Sequence, residues 1–317
     1  MLLTLGGCAG NRPPKDPAGL ERFEFTKLVM GVKARVVVYS PGEAPARAAA
    51  AAAFARMEDL DRILSDYRPD SELSLLPARA AGRWTELSPE LSEVLRLARR
   101  ISDLGDGAFD VTVGAMSREW RAARQEGRLP SPEALAAARA VSGWEKLELH
   151  TSESRARVAA PGMRLDLGGI GKGYAAREAS RTLQALGARS HLVALAGDIV
   201  VGDAPPGADG WRIGIDLGRG SEGSIDLVNR AVSTSGDAAQ FVEVDGVRYS
   251  HILDPRTGIG VTTRTACVVV AEDGAIADAA ATAVCVLGAD RGAALLRSLG
   301  VKGLVLEGDR RARVGGW

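Results

Sequence analysis

Apolar positions along the chain follow two periods, and each period marks a kind of element. Val32, Ala34, Val36 and Val38 alternate with Lys33, Arg35 and Tyr39, which predicts an early strand. An Ala-rich helix follows over 46–65, with Phe54, Met57, Leu60 and Leu64 on its apolar side. Ser88-Pro89-Glu90 and Ser131-Pro132-Glu133 are twin helix starts. In each, serine caps free N–H groups, proline fits the first turn and glutamate meets the positive end. These helices end near Gly105 and Gly143. Residues 144–150 and 155–159 read as a hairpin, leading into a strand where Met163, Leu165 and Leu167 alternate with Arg164 and Asp166. After a glycine-rich turn, Ala176, Ala179, Leu183 and Leu186 line one helix face, capped by Gly187.

Beyond that helix, short strands are predicted at 192–195, 211–216, 231–234, 241–244 and 265–270, with Gly197-Asp198 ending the first. Helices are predicted at 276–287 and 290–299, the second capped by Gly300, and a terminal hairpin at 302–314 turns at Gly308. Strands outnumber strand–helix–strand units, so the pattern predicts a mixed α+β fold with antiparallel sheets and packed helices. No repeat or low-complexity linker interrupts 21–317. These residues are expected to form one domain behind a separate segment, 1–20.

Composition narrows the function classes. Forty acidic and 40 basic residues balance, and aromatics are 4% of the 317 residues, so neither a basic field nor a stacking platform points to nucleic acid. The Arg-rich stretches at 96–100 and 118–128 read as solvated helix surface. Three cysteines are too few for a disulfide framework, and Cys267 and Cys285 sit in apolar runs that would bury them. Leu5-Gly6-Gly7-Cys8 resembles the lipobox of bacterial lipoproteins, which implies a lipidated Cys8 and a polar tether over 9–19. It departs from the usual leader in having no basic residue before the cysteine and a short apolar core.

Residues 166–175, Asp-Leu-Gly-Gly-Ile-Gly-Lys-Gly-Tyr-Ala, carry the strongest chemical signal. A strand, a glycine turn and a helix start direct backbone N–H groups and the positive helix end to one point, which suits a phosphate, and Lys172 adds a cation. A P-loop is excluded because Asp166 and Gly173 stand where its first glycine and its hydroxyl residue belong. A dinucleotide fingerprint fails at Tyr174, where a third glycine is needed. Asp278 and Thr282 place a carboxylate and a hydroxyl one turn apart on a helix, a partial shell for Mg²⁺. Of the three histidines, His150 and His191 read as structural, while His251 precedes a polar turn and could accept a proton.

Together and in this order, 166–175, 233–237, 251–258 and 278–282, supported by Met30-Gly31, 65–71 and 108–114, resemble the FAD:protein FMN transferase family, the ApbE-type flavin transferases. The resemblance implies a mixed α+β fold with a flavin-nucleotide cleft between two lobes. It implies Mg²⁺-dependent cleavage of FAD, with FMN passing to a Ser or Thr hydroxyl of an acceptor protein and AMP leaving. By position, Met30, Tyr67, Ala108, Phe109, Asp110, Asp166, Lys172 and Leu253 match the family's flavin-nucleotide contacts. The carbonyl of Gly169, with Asp278 and Thr282, matches its Mg²⁺ site, and His251 the residue that activates the acceptor hydroxyl. Asp166 is expected on the adenine or ribose side, since a carboxylate would repel phosphates.

Implied acceptors are redox subunits of sodium-pumping NADH:quinone reductases or Rnf-type complexes. The implied location is the periplasmic face of a bacterial inner membrane, through a lipid anchor. The chain departs from the family at Ala194–Asp198, where Asn-x-Gly-Gly-Asp is usual, at Val32, usually Thr, and in lacking prolines over 109–116. Two other readings compete: an FAD pyrophosphatase releasing FMN and AMP, with Tyr67 as a stacking residue, and a lipoprotein that only binds flavin.

Overall fold

The computed structural model describes residues 19–150, 152–218, 220–238 and 240–316. Cys8 and residues 9–18 of its expected tether lie outside them. The chain opens with β1 (Glu21–Val29) and β2 (Val32–Ser40), then α1 (Glu43–Leu64), α2 (Glu72–Arg79), β3 (Thr85–Glu86), α3 (Pro89–Leu104), α4 (Gly114–Gln125) and α5 (Pro132–Ala140). It continues through β4 (Leu147–His150), β5 (Arg155–Val158), α6 (Gly171–Ala185), β6 (His191–Leu195) and β7 (Asp198–Val201). Next come β8 (Trp211–Asp216), β9 (Ser221–Leu227), β10 (Arg230–Ser235), β11 (Phe241–Val244) and β12 (Val247–Ser250). The last elements are β13 (Thr265–Ala271), α7 (Gly274–Leu299), β14 (Lys302–Glu307) and β15 (Arg310–Val314).

Eight strands form one sheet in the order β1-β2-β6-β7-β10-β13-β14-β15, and every neighbouring pair is antiparallel. Alternation along the central strands sorts their side chains onto two faces. Val36, Val38, Val193, Leu195 and Val200 meet α1, α6 and α7. Val37, Leu192, Ala194, Ile199, Val201 and Val232 meet Trp211, Ile213 and Ile215 of the β8–β9 hairpin. The sheet is thus covered by helices on one side and by a β-ribbon on the other. Asp198 and Ser233 fall on the helix face, in step with Val200 and Ala231.

The serine caps form as expected: Ser88 and Ser131 accept from the N–H groups of Leu91 and Ala134. Four local expectations are corrected. The segment 163–167 keeps the expected alternation, with Met163, Leu165 and Leu167 buried and Arg164 exposed, but joins no ladder beyond one bridge between Arg164 and Val113. Leu186 turns to solvent, because the apolar face of α6 ends with Leu183. Asp198 does not close β6; it opens β7 across a two-residue turn. The two helices expected over 276–299 are one element kinked at Gly288, whose φ of 78° interrupts the helix without ending it. Strand β1 was not predicted, because as an edge strand it carries mostly polar, exposed residues. Helix α2 was hidden by its short length and by Pro77. Cys267 and Cys285 are buried free thiols.

Candidate functional site

The glycine turn opens α6 against the start of α7. A Cβ on Gly173 would stand 2.1 Å from the Gly274 carbonyl oxygen, and one on Gly274 would stand 2.4 Å from the Gly173 oxygen. The two helices therefore meet backbone to backbone, which glycine alone allows. At this contact the Gly173 N–H donates to Asp278 Oδ2 at 3.0 Å. Other turn amides are also used: Gly168 N–H donates to Asp166 Oδ1, while Ile170 and Gly171 donate to the Leu167 carbonyl. The point at which the helix start aims, expected to be free for a phosphate, is held by the Asp278 carboxylate.

Lys172 leans over the same turn. Its Nζ donates to the Gly168 carbonyl at 2.7 Å and lies 3.8 Å from Asp198 Oδ2 and 3.9 Å from Asp278 Oδ2. Both carboxylates are buried, whereas the lysine side chain keeps 27% of its surface accessible. Burial raises the pKa of Asp278. Burial and the nearby Asp278 charge push Asp198 up to about 7. Two carboxylates crowded in one buried site hold their protons more tightly than usual, and a divalent cation would offset the cost of ionising them.

The donor set fits such a cation. A Cβ on Gly169 would stand 2.9 Å from Thr282 Oγ1, so the glycine turn passes directly over the hydroxyl one turn beyond Asp278. Among the described residues, no three His, Cys, Asp or Glu side chains gather to hold a metal. The set is instead one carboxylate, one hydroxyl and a nearby backbone carbonyl, hard oxygens that suit a Mg²⁺ ion keeping waters or phosphate oxygens.

His251 follows β12. Its Nδ1 lies 3.2 Å from the Gln240 carbonyl oxygen. A carbonyl can only accept, so Nδ1 carries the proton and Nε2 keeps the lone pair. Burial, reinforced by the positive charges of Arg124 and Lys172, pushes its pKa down to about 4, so the ring is neutral near pH 7. Those same influences place His251 within electrostatic reach of Lys172. His191, by contrast, is buried between Ser180 and the Ala188 carbonyl, a structural role as expected.

Tyr67 is 76% exposed and lies across the Arg121 guanidinium, 4.6 Å from ring centroid to Cζ. Arg121 also pairs with Asp66 at 2.5 Å and with Asp166 at 2.6 Å. Both oxygens of Asp166 are thus engaged within the protein. Phe109 is buried beside the glycine turn, 3.1 Å from a Cβ on Gly169, and Ala108 is buried next to it. Asp110 is spent on the following turn, accepting from the Thr112 N–H and hydroxyl. Leu253 packs on Val113 and Met116. Met30, with φ 51°, lines a shallow groove with Arg68 and Asp61. The fold gathers Phe109, Gly169, Lys172, Asp278 and Thr282 around one turn, with His251 and Tyr67 near it. Met30 stays in its groove, and among the described residues it makes no hydrogen bond or ion pair with that group.

Sequence reasoning missed Asp198, Ser233 and Arg121 as members of this group. Asp198 had two signals: it matches the last position of the family's Asn-x-Gly-Gly-Asp stretch, and it is a carboxylate opening an otherwise apolar strand, Asp-Ile-Val-Val.

A family model described as the ApbE family matches residues 30–305. The chain belongs to the ApbE family. Curated relatives named FAD:protein FMN transferase include that of Klebsiella pneumoniae (strain 342), 31% identical over 97% of this chain and 91% of its own length. That of Treponema pallidum (strain Nichols) is 33% identical over 99% of this chain and 90% of its own. Among solved structures, the flavin transferase ApbE from Vibrio cholerae superposes with a TM-score of 0.84 at 29% identity, covering 93% of this chain and 97% of that one. The mixed α+β architecture with its antiparallel sheet is therefore the ApbE fold.

Proposed function

We propose that this ApbE-family chain transfers FMN from FAD to a Ser or Thr hydroxyl of an acceptor protein, with AMP as the leaving group. The observation that carries the reading is a neutral His251, its Nε2 lone pair free, within electrostatic reach of Lys172 at the Asp278–Thr282 turn. A base for a hydroxyl and a cation for a pyrophosphate then share one site. His251 Nε2 takes the acceptor proton as the hydroxyl oxygen bonds to the FMN phosphorus and the bond to the AMP oxygen breaks. Lys172 meets charge on the phosphate oxygens, and Tyr67 offers its open ring face to an aromatic ring system. Mg²⁺ held by Asp278, Thr282 and the Gly169 carbonyl would neutralise the pyrophosphate as its bridge breaks. Met30, Ala108, Phe109, Asp110, Asp166 and Leu253 complete the flavin-nucleotide contacts in this reading.

The proposed acceptors are redox subunits of the sodium-pumping NADH:quinone reductase or Rnf type. The proposed location is the periplasmic face of the inner membrane, with Cys8 lipidated. The decisive experiment incubates the protein with FAD, Mg²⁺ and a candidate acceptor and weighs the acceptor by mass spectrometry. An added FMN with release of AMP supports transfer. Free FMN and AMP with an unmodified acceptor supports the pyrophosphatase reading, and bound but uncleaved FAD supports storage.

A further inference from the structure

Asp198 takes no part in the chemistry above, yet its side chain is only 5% exposed in a wall of the site. Strand β7 places it on the helix face of the sheet, directly opposite Ser233 of β10. Ser233 donates its hydroxyl hydrogen to Asp198 Oδ1 at 2.5 Å, which fixes the carboxylate and leaves Oδ2 toward Lys172 at 3.8 Å. A buried carboxylate is costly unless it is paired, and Lys172 is the cation it faces.

Lys172 has three carboxylates in electrostatic reach: Asp278, Asp198 and Asp166. Asp166 is already bound to Arg121 and to the Gly168 N–H. Asp278 is the carboxylate that a divalent cation would take, and a carboxylate that neutralises a divalent ion holds an ammonium less strongly. Asp198 then remains as the anionic anchor of Lys172.

We propose that Asp198, fixed by Ser233, is a positioning residue that keeps the Lys172 ammonium aimed into the site once a divalent cation engages Asp278. This rests on the flavin-transfer reading, in which Lys172 meets the FAD phosphates. Asp198 acts through Lys172 and touches no substrate.

The test titrates FAD into the full chain by flavin fluorescence, once with Mg²⁺ and once with a chelator. It compares wild type, Asp198→Asn, Ser233→Ala, Lys172→Met and the Asp198→Asn/Lys172→Met double variant. With Mg²⁺, Asp198→Asn is expected to weaken FAD binding about tenfold, and Ser233→Ala less but in the same direction. With the chelator, Asp278 still holds Lys172, so the loss should stay below about twofold. In the Lys172→Met background the Asn change should have no further effect. Wild-type affinity in both single variants with Mg²⁺ overturns the inference. So does an equal loss with and without Mg²⁺, or an undiminished loss in the Lys172→Met background, since each would mark a merely structural role. If Asp198→Asn does not fold, Ser233→Ala alone decides by the same Mg²⁺ comparison. A wild type that binds no FAD in either condition overturns the flavin-transfer reading and the inference with it.

Discussion

Asp278 answers two demands with one carboxylate: it accepts the Gly173 N–H and pairs with Lys172. Replacing it by alanine orphans the buried Gly173 N–H at a cost of about 1–3 kcal/mol. The backbone contact between Gly173 and Gly274 remains to dock the helices, and the carboxylate assigned to Mg²⁺ is removed. Turnover in Mg²⁺ is expected to fall roughly a thousandfold in Asp278→Ala and much less in Thr282→Ala, whose place water can fill. Steady-state rates across a Mg²⁺ titration check this, with circular dichroism to confirm the fold.

His251→Ala should separate binding from chemistry, with FAD affinity changed by less than about tenfold and transfer lowered by about a hundredfold or more. Asp237 and Asp254 are poor substitutes as bases, since each is paired with an arginine, Arg248 at 3.0 Å and Arg256 at 2.8 Å. With the histidine pKa near 4, the wild-type rate should not fall on its account until the pH approaches that value. A pH profile of transfer tests this.

Ala196 adopts φ 53° in the turn that delivers Asp198. It occupies the first loop position of a two-residue hairpin, a place suited to glycine. Ala196→Gly should therefore raise stability by up to about 1 kcal/mol, read by urea unfolding, because relief of strain outweighs the freer unfolded chain.

What was legible among residues was what lies close in sequence. Asp278 and Thr282 share a helix face by their spacing, and 166–175 announces its turn through glycine. Asp198 and Ser233 meet only through strand pairing between β7 and β10, and no spacing along the chain reveals that. Arg121 lay in a run read as solvated surface, although it carries two ion pairs and the Tyr67 ring.

At the scale of elements, strong periods and caps located α1, α3, α5, α6 and the two halves of α7, because each signals with its own residues. The mostly polar rim strand β1 and strand β9, with two apolar residues in seven, carry too little alternation to read. Gly288 marks the limit of such reading, since the gap between two expected helices is a kink within one. Its φ of 78° is open to glycine, and an added Cβ would stand 3.0 Å from Glu307 Oε2, which accepts the Ala289 N–H. Gly288→Ala is expected to cost roughly 1–3 kcal/mol in chemical denaturation. FAD affinity should change little, because Asp278 and Thr282 lie in the other half of α7.

Across the whole molecule, α7 is the one described helix long and apolar enough to cross a membrane, and 72% of its apolar window is buried inside the protein. It is the central helix of the fold. Burial lowers the pKa values of both His191 and His251 from 6.5. At these two sites the unfolded chain therefore takes up protons below pH 6.5 that the folded one refuses, which lowers stability as the pH drops. Asp198 and Asp278, whose pKa values burial raises, act in the opposite direction. Each histidine adds a slope of up to about 1.4 kcal/mol per pH unit. Melting curves from pH 7 to 5 should fall less steeply in His251→Gln.

The contact between Gly173 and Gly274 has a consequence for time as well as for space. The Gly173 amide, closed in by α7 and bonded to Asp278, can trade its hydrogen for deuterium only when the two central helices part. Such a separation breaches the largest core, so exchange there should require nearly the full free energy of unfolding, while the β11–β12 ribbon exchanges far sooner. The amide that orients the candidate metal carboxylate would then be among the slowest-exchanging in the protein. The donor shell and the fold would be lost in a single event, with no folded form whose carboxylate has come adrift.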